Sequence, residues 1–180
     1  MSRGATLRIG GGFLRGRKVV VPDGARPSGS RLREALFSIW RERLEEARFL
    51  DLFAGSGAVG IEAVSRGAQE VAAVEFFPRS LSILRRNLGA LVPEQGRAVR
   101  LRLPGNLAGL GRFDLIFADP PYAFRGHEAL LLSGAGCATP TTELALEHSS
   151  RTETPERAGP WQRHRTRNYG ESCLSFYRIE

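Results

Sequence analysis

A chain of 180 residues, 42% of them hydrophobic, is about one domain long and can bury a core of its own. No run approaches the roughly 20 apolar residues of a membrane helix, Met1-Ser2-Arg3-Gly4 leads into no signal-peptide core, and Cys137 and Cys173 without a C-x-x-C argue against a zinc or disulfide framework, so a cytoplasmic, monomeric, metal-free unit of enzyme size is expected. The formal charge of +7 is uneven: residues 1–33 hold Arg3, Arg8, Arg15, Arg17, Lys18, Arg26, Arg31 and Arg33 against Asp23 alone, a field suited to a polyanion.

The first expected element is a β hairpin, residues 7–9 and 17–21, joined through a glycine-rich turn at 10–16. Leu32, Ala35, Leu36, Ile39, Trp40 and Leu44 then recur at three- and four-residue intervals, the stripe of an amphipathic helix capped by Ser30. Together these make residues 1–48 a basic N-terminal extension packed on a second unit at 49–180. In that unit, short apolar runs at 49–53, 71–75, 99–103 and 113–118 alternate with helical stretches at 58–66, 78–91 and 126–132. Such alternation is the signature of βαβ units, an α/β fold with a mostly parallel sheet. Two further strands, 143–147 and 172–178, have no helix between them and are expected to pair antiparallel, leaving the polar stretch 149–168 as an exposed loop.

Strand 49–53 runs into Ala54-Gly55-Ser56-Gly57-Ala58-Val59-Gly60, and Glu75 lies 20 residues beyond Gly55. This is the pattern of a dinucleotide site: glycine lets backbone approach the ligand, and an acid at the end of the next strand accepts the ribose hydroxyls. Two features favour S-adenosylmethionine over a nicotinamide. Asp51, at the mouth of the first strand, would repel a pyrophosphate but suits a ligand bearing a sulfonium and an ammonium. Asp119-Pro120-Pro121-Tyr122, directly after the apolar strand 113–118, serves no dehydrogenase chemistry.

That tetrapeptide fits methylation of an exocyclic base amine. Such a nitrogen is a poor nucleophile because its lone pair is delocalised into the ring, so positioning is most of the task. Asp119 can accept one N–H and the Pro120 carbonyl the other, while the two prolines, with fixed φ and no N–H, give a stiff acceptor-rich edge. Tyr122 or Phe124 can stack on the base, and Asp119 can take up the proton as positive charge develops. A paired base hides its amine, so the target must be single-stranded or flipped out.

These motifs, with Arg26-Pro27-Ser28-Gly29-Ser30-Arg31-Leu32-Arg33-Glu34-Ala35-Leu36-Phe37, resemble over nearly the whole chain the bacterial small-subunit ribosomal RNA guanine-N2 methyltransferase family of the RsmD type. Arg8-Ile9-Gly10-Gly11 to Gly16-Arg17-Lys18 is similar to that family's opening motif, and Asp51-Leu52-Phe53-Ala54-Gly55-Ser56-Gly57 to its cofactor motif. Glu147-His148-Ser149 and Tyr169-Gly170-Glu171 are similar to its late motifs. The resemblance implies a Rossmann-like class I methyltransferase fold, with S-adenosylmethionine held by Asp51, Phe53, Gly55, Ser56, Gly57 and Glu75. It implies as target a guanine of 16S ribosomal RNA, naked or in a small-subunit assembly particle, with Arg8, Arg15, Arg17, Lys18, Arg26, Arg31 and Arg33 as RNA contacts. The chain departs from the family at Ser28 and Ser30, where threonine and aspartate are usual. It departs again at Pro104-Gly105-Asn106, where an acid near the adenine is usual and Asn106 becomes the adenine contact. Methylation of adenine N6 in DNA would use the same tetrapeptide, but little chain remains to read a DNA sequence. The intact Asp51, Glu75 and Asp119 argue against an inert ribosome-assembly module.

Overall fold

The computed structural model describes residues 5–22 and 29–180. Strands β1 (Thr6–Arg8) and β2 (Lys18–Val20) form the expected antiparallel hairpin, followed by α1 (Ser30–Ile39) and a 3-10 turn at Arg41–Arg43. Then β3 (Arg48–Leu52), α2 (Ala58–Ser65), β4 (Glu70–Glu75), α3 (Pro78–Leu91), β5 (Gly96–Arg100) and β6 (Phe113–Ala118) alternate as βαβ units. The chain ends with α4 (His127–Ala135), β7 (Ala138–Ser149), β8 (Arg157–Ala158), β9 (Trp161–Tyr169) and β10 (Ser172–Ile179). Strands covered on both faces read as unbroken apolar runs, which is why β3, β4 and β6 were recognisable from sequence.

Among the described residues, eight strands form one sheet in the order β5-β4-β3-β6-β7-β10-β9-β8. The pairs from β5 to β7 are parallel. β10 enters antiparallel between β7 and β9, pairing Glu143 with Arg178 and Ser149 with Ser172. Strand order reverses between β3 and β6, and the crevice at the carboxyl ends of those strands is where open sheets of this kind bind ligands.

One face of the sheet, with Phe49, Val71, Leu115, Phe117 and Phe176, packs against α1, α2 and α3; the other, with Leu50, Val74, Ile116 and Tyr177, packs against α4 and Trp161. The N-terminal segment shares the first of these cores through Ile9, Leu14, Val19, Leu36, Phe37 and Trp40. Trp40 meets Phe49 and Phe176 edge-on, with ring centroids 5.9 and 6.0 Å apart, and its indole N–H donates to buried Glu143 at 2.5 Å.

Four expectations change. Ser30 is the first helical residue of α1 and not its cap; Gly29 holds the cap position, with no side-chain hydrogen bond. The apolar stripe through Leu44 leaves α-helix at Ile39, because the 3-10 turn carries Leu44 into the core. β5 starts at Gly96, three residues before the apolar run; the Gly96 N–H donates to the Val92 carbonyl at 2.8 Å, while Leu101 and Leu103 pack on the α4-side core beyond the strand. The stretch 149–168 is not simply a loop: β8 and β9 occupy Arg157–Ala158 and Trp161–Tyr169. β9 lacks an apolar rhythm because most of its side chains stay exposed, and the ladder to β10 holds it.

Candidate active site

Three carboxylates come together at the carboxyl ends of β3, β4 and β6. Asp51 is buried, and its Oδ2 accepts the Gly60 N–H at 3.0 Å. Burial pushes its carboxyl up to about 7, opposed by the Gly60 hydrogen bond and assisted by the neighbouring Asp119 and Glu75 charges. Glu75 Oε2 accepts the Gly55 N–H at 3.0 Å, and its Oε1 accepts the N–H groups of Phe76 and Phe77 at 2.7 and 2.8 Å. Asp119 extends the β6 ladder by one step, its N–H donating to the Leu52 carbonyl at 3.3 Å.

Only glycine fits at two points, one at the end of the loop between β3 and α2 and one in the first turn of α2. Gly57 has φ +80°, and a Cβ there would lie 2.5 Å from Leu84 Cδ1. At Gly60 a Cβ would lie 2.6 Å from Val71 and 3.2 Å from Asp51 Oδ2, so glycine is what admits the Asp51 carboxylate beneath the helix. Gly55, at φ +54°, faces open space. The Ser56 carbonyl accepts from Asn87 Nδ2 at 2.8 Å, and the same amide bonds both the N–H and the carbonyl of Val20. Asn87 on α3 thereby ties the basic hairpin to the glycine loop after β3, a link that sequence alone did not suggest.

In the tetrapeptide, Pro120 is buried, Pro121 is exposed, and Tyr122 is 47% exposed with its hydroxyl 3.3 Å from Ser172 Oγ. Phe124 packs T-shaped on Phe53 and on His127, each at 5.3 Å, and is half-buried, so Tyr122 is the more exposed of the two rings. The two late motifs meet beside it: the Ser150 N–H donates to the Glu171 carbonyl at 2.8 Å, and a cavity of about 150 Å³ is lined by Tyr122, Ser149, Ser150, Arg151 and Glu171.

Asn106 is exposed and its Oδ1 accepts the Ala108 N–H at 3.0 Å, at the start of a short 3-10 turn at Ala108–Leu110. An aromatic pair that sequence reasoning missed follows Glu75: Phe76, with the Arg102 guanidinium 4.0 Å from its ring centre, and Phe77, 63% exposed. The signal was there in two aromatics directly after a strand-end acid. Of the basic residues, Arg8, Arg15, Arg17, Lys18 and Arg31 are exposed, and Arg26 lies outside the described residues. Arg33 must be reassigned. It is 6% exposed, donates from Nε to Glu62 at 2.7 Å and from Nη2 to the Arg8 carbonyl at 2.8 Å, and so holds the hairpin to α2 instead of facing a phosphate.

The family described as Conserved hypothetical protein 95 matches residues 7–178. Ribosomal RNA small subunit methyltransferase D of Escherichia coli (strain K12) is 34% identical over 97% of this chain and 90% of its own length. The chain belongs to that methyltransferase D family. Among solved structures, a hypothetical protein of Thermus thermophilus superposes with a TM-score of 0.81 at 36% identity, covering 96% of this chain and 99% of that one. A T. thermophilus 16S rRNA N2 methyltransferase (RsmC), solved with AdoMet and guanosine, gives a TM-score of 0.76 at 25% identity, covering 99% of this chain and 50% of its own. The fold is the Rossmann-like class I methyltransferase fold, and within that frame the three-carboxylate edge lies at the switch point of the sheet. No helix among the described residues is long and apolar enough to cross a membrane.

Proposed function

We propose that this chain transfers the methyl group of S-adenosylmethionine to the exocyclic N2 of a guanine in 16S ribosomal RNA. The observation that carries the reading is the placement of Asp119 one step beyond β6, hydrogen-bonded to the end of β3 and close enough to Asp51 for their charges to interact. Amine-orienting and cofactor-holding carboxylates thus share one strand edge.

The residues present fit the cofactor. The open space over Gly55 leaves room for it, and a cation relieves the crowding of negative charge that raises Asp51. Asp51 supplies negative field under the loop, Glu75 retains acceptor capacity for the ribose hydroxyls, Phe76 and Phe77 offer an apolar wall to the adenine, and Phe53, Ser56 and Gly57 shape the loop. Asn106 is the polar contact for the adenine. When bound, the cofactor supplies an electrophilic methyl carbon. Asp119 and the Pro120 carbonyl accept hydrogen bonds from the two amine N–H groups, turning the nitrogen lone pair toward that carbon. Tyr122 stacks on the flipped guanine, and the Asp119 carboxylate accepts the proton as charge develops on nitrogen. The exposed basic residues of the hairpin and α1 hold RNA phosphates.

Labelled methyl transfer tests this directly: label is expected in 16S RNA presented naked or in small subunits, and label in neither contradicts the reading.

Asp51 makes the cofactor step pH-dependent. An acid raised from 3.8 to about 7 binds a proton in the folded chain that the unfolded chain has lost, so its contribution to stability falls as pH rises from about 4 to about 7 and then levels. A cationic ligand favours the ionised form. Affinity for S-adenosylmethionine, measured by calorimetry, is therefore expected to rise as pH approaches 7, and Asp51→Asn to weaken binding, flatten that dependence and raise the melting temperature above pH 7. A pH-independent affinity in the native protein would count against the role of Asp51.

A further inference from the structure

The turn between β1 and β2 is fastened to the C-terminal end of α2. The Phe13 N–H donates to the Ser65 carbonyl at 2.9 Å, the Leu14 N–H to Ser65 Oγ at 2.8 Å, that hydroxyl to the Gly11 carbonyl at 2.6 Å, and the Gly10 N–H to Glu62 at 3.1 Å. Gly12, at φ +76°, presses so closely on α2 that a Cβ would sit 1.7 Å from the Ser65 carbonyl oxygen. With the backbone fixed in this way, Leu14 is driven into the core at 6% exposure and Phe13 is left outside at 71%, the most exposed large apolar side chain among the described residues.

The segment that carries that ring is cationic. Arg15, Arg17 and Lys18 are exposed, and exposed Arg8 donates to the Gly16 carbonyl at 2.8 Å across the turn. Residues 5–22 contain no acid, and among the described residues none of these four cations enters an ion pair. A protein partner or a lipid surface would need a contiguous apolar patch, whereas the neighbours of Phe13 in the turn are glycine, buried Leu14 and arginine. A bare ring on a rigidly held backbone, in a segment whose exposed cations make no ion pair among the described residues, matches a nucleobase with its flanking phosphates.

We propose that Phe13 is a base-stacking contact for an unpaired nucleotide of the RNA substrate, with Arg15, Arg17 and Lys18 on the adjoining phosphates. This rests on the reading of the chain as an RNA methyltransferase and adds a second anchor to it. The ring sits at the end of α2 away from the cofactor loop, about 12 Å along the helix, so it engages a nucleotide distant from the methylated one and helps set which guanine reaches Asp119.

The test compares Phe13→Ala, Phe13→Leu and Phe13→Trp with the triple change of Arg15, Arg17 and Lys18 to alanine, in binding to 16S RNA transcripts and to small ribosomal subunits across a salt series. Phe13→Ala is expected to weaken binding by roughly 5- to 100-fold with an unchanged salt slope, Phe13→Leu to be equally weak, and Phe13→Trp to match the native protein. The triple variant is expected to flatten the salt slope, with S-adenosylmethionine affinity unchanged throughout. Native affinity in Phe13→Ala, or its recovery in Phe13→Leu, overturns the stacking role while leaving the methyltransferase reading intact. No binding of the native protein to either RNA form overturns both.

Discussion

Asp119→Asn is expected to lower methyl transfer by roughly 10²- to 10⁴-fold with the fold intact. The backbone of Asp119 is placed by its own N–H on the Leu52 carbonyl and by the buried Pro120 that follows, so the side chain can change without moving the loop. Asparagine keeps one acceptor but presents an N–H₂ where the substrate amine needs acceptors, and it cannot take a proton. The carboxylate of Asp119 also raises Asp51. Its removal should therefore leave cofactor affinity unchanged or slightly improved below pH 7. Single-turnover transfer and calorimetric titration on the same preparation check both halves. Native-like turnover in Asp119→Asn would remove the carboxylate from the chemistry, and a large loss of cofactor affinity would place it in the cofactor site instead.

The second large effect is structural. Glu62 is 1% exposed and joins three parts of the chain: Gly10 in the hairpin turn at 3.1 Å, Arg33 on α1 at 2.7 Å, and Arg66 just after α2 at 2.9 and 2.8 Å. Glu62→Gln leaves the buried Arg33 guanidinium without a counter-charge, a change that typically costs about 3–5 kcal/mol. In a chain of this size that corresponds to a fall in melting temperature of roughly 6–20 °C. Arg66→Ala should cost far less, about 0–1 kcal/mol, because Arg66 is partly exposed and the Arg33 pair survives it. Denaturant unfolding of the two variants separates these outcomes. Equal, small losses would show that Glu62 is not what fastens the hairpin and α1 to α2.

The contrast between Glu62 and the tetrapeptide explains how far this sequence could be read. The strand-end acids stood out because their meaning lies in spacing: an apolar run that carries Asp51 near its end, closes on Glu75 or is followed by Asp119 fixes the edge of the sheet at which the acid emerges. Arg33 carried no such mark. Its charge looked like its exposed neighbours', and only the folded chain brings it to Glu62, 29 residues away. β9 escaped notice for a related reason, since an outer strand with exposed side chains is held by backbone pairing that leaves no period in the sequence. The antiparallel pairing of β7 with β10 was legible because both strands are apolar runs with no helix between them. Asn87 was within reach only once the loop around Gly55 had a shape, whereas the Phe76–Phe77 pair directly after Glu75 was a legible signal passed over.

The identity of the methylated product is the most direct test of the proposed activity. Mass-spectrometric mapping of 16S ribosomal RNA from cells with and without this protein should show one guanine that carries an N2-methyl only when the protein is present, restored by the native chain and not by Asp119→Asn. An unchanged RNA methylation pattern, with loss of N6-methyladenine from DNA in its place, would contradict it.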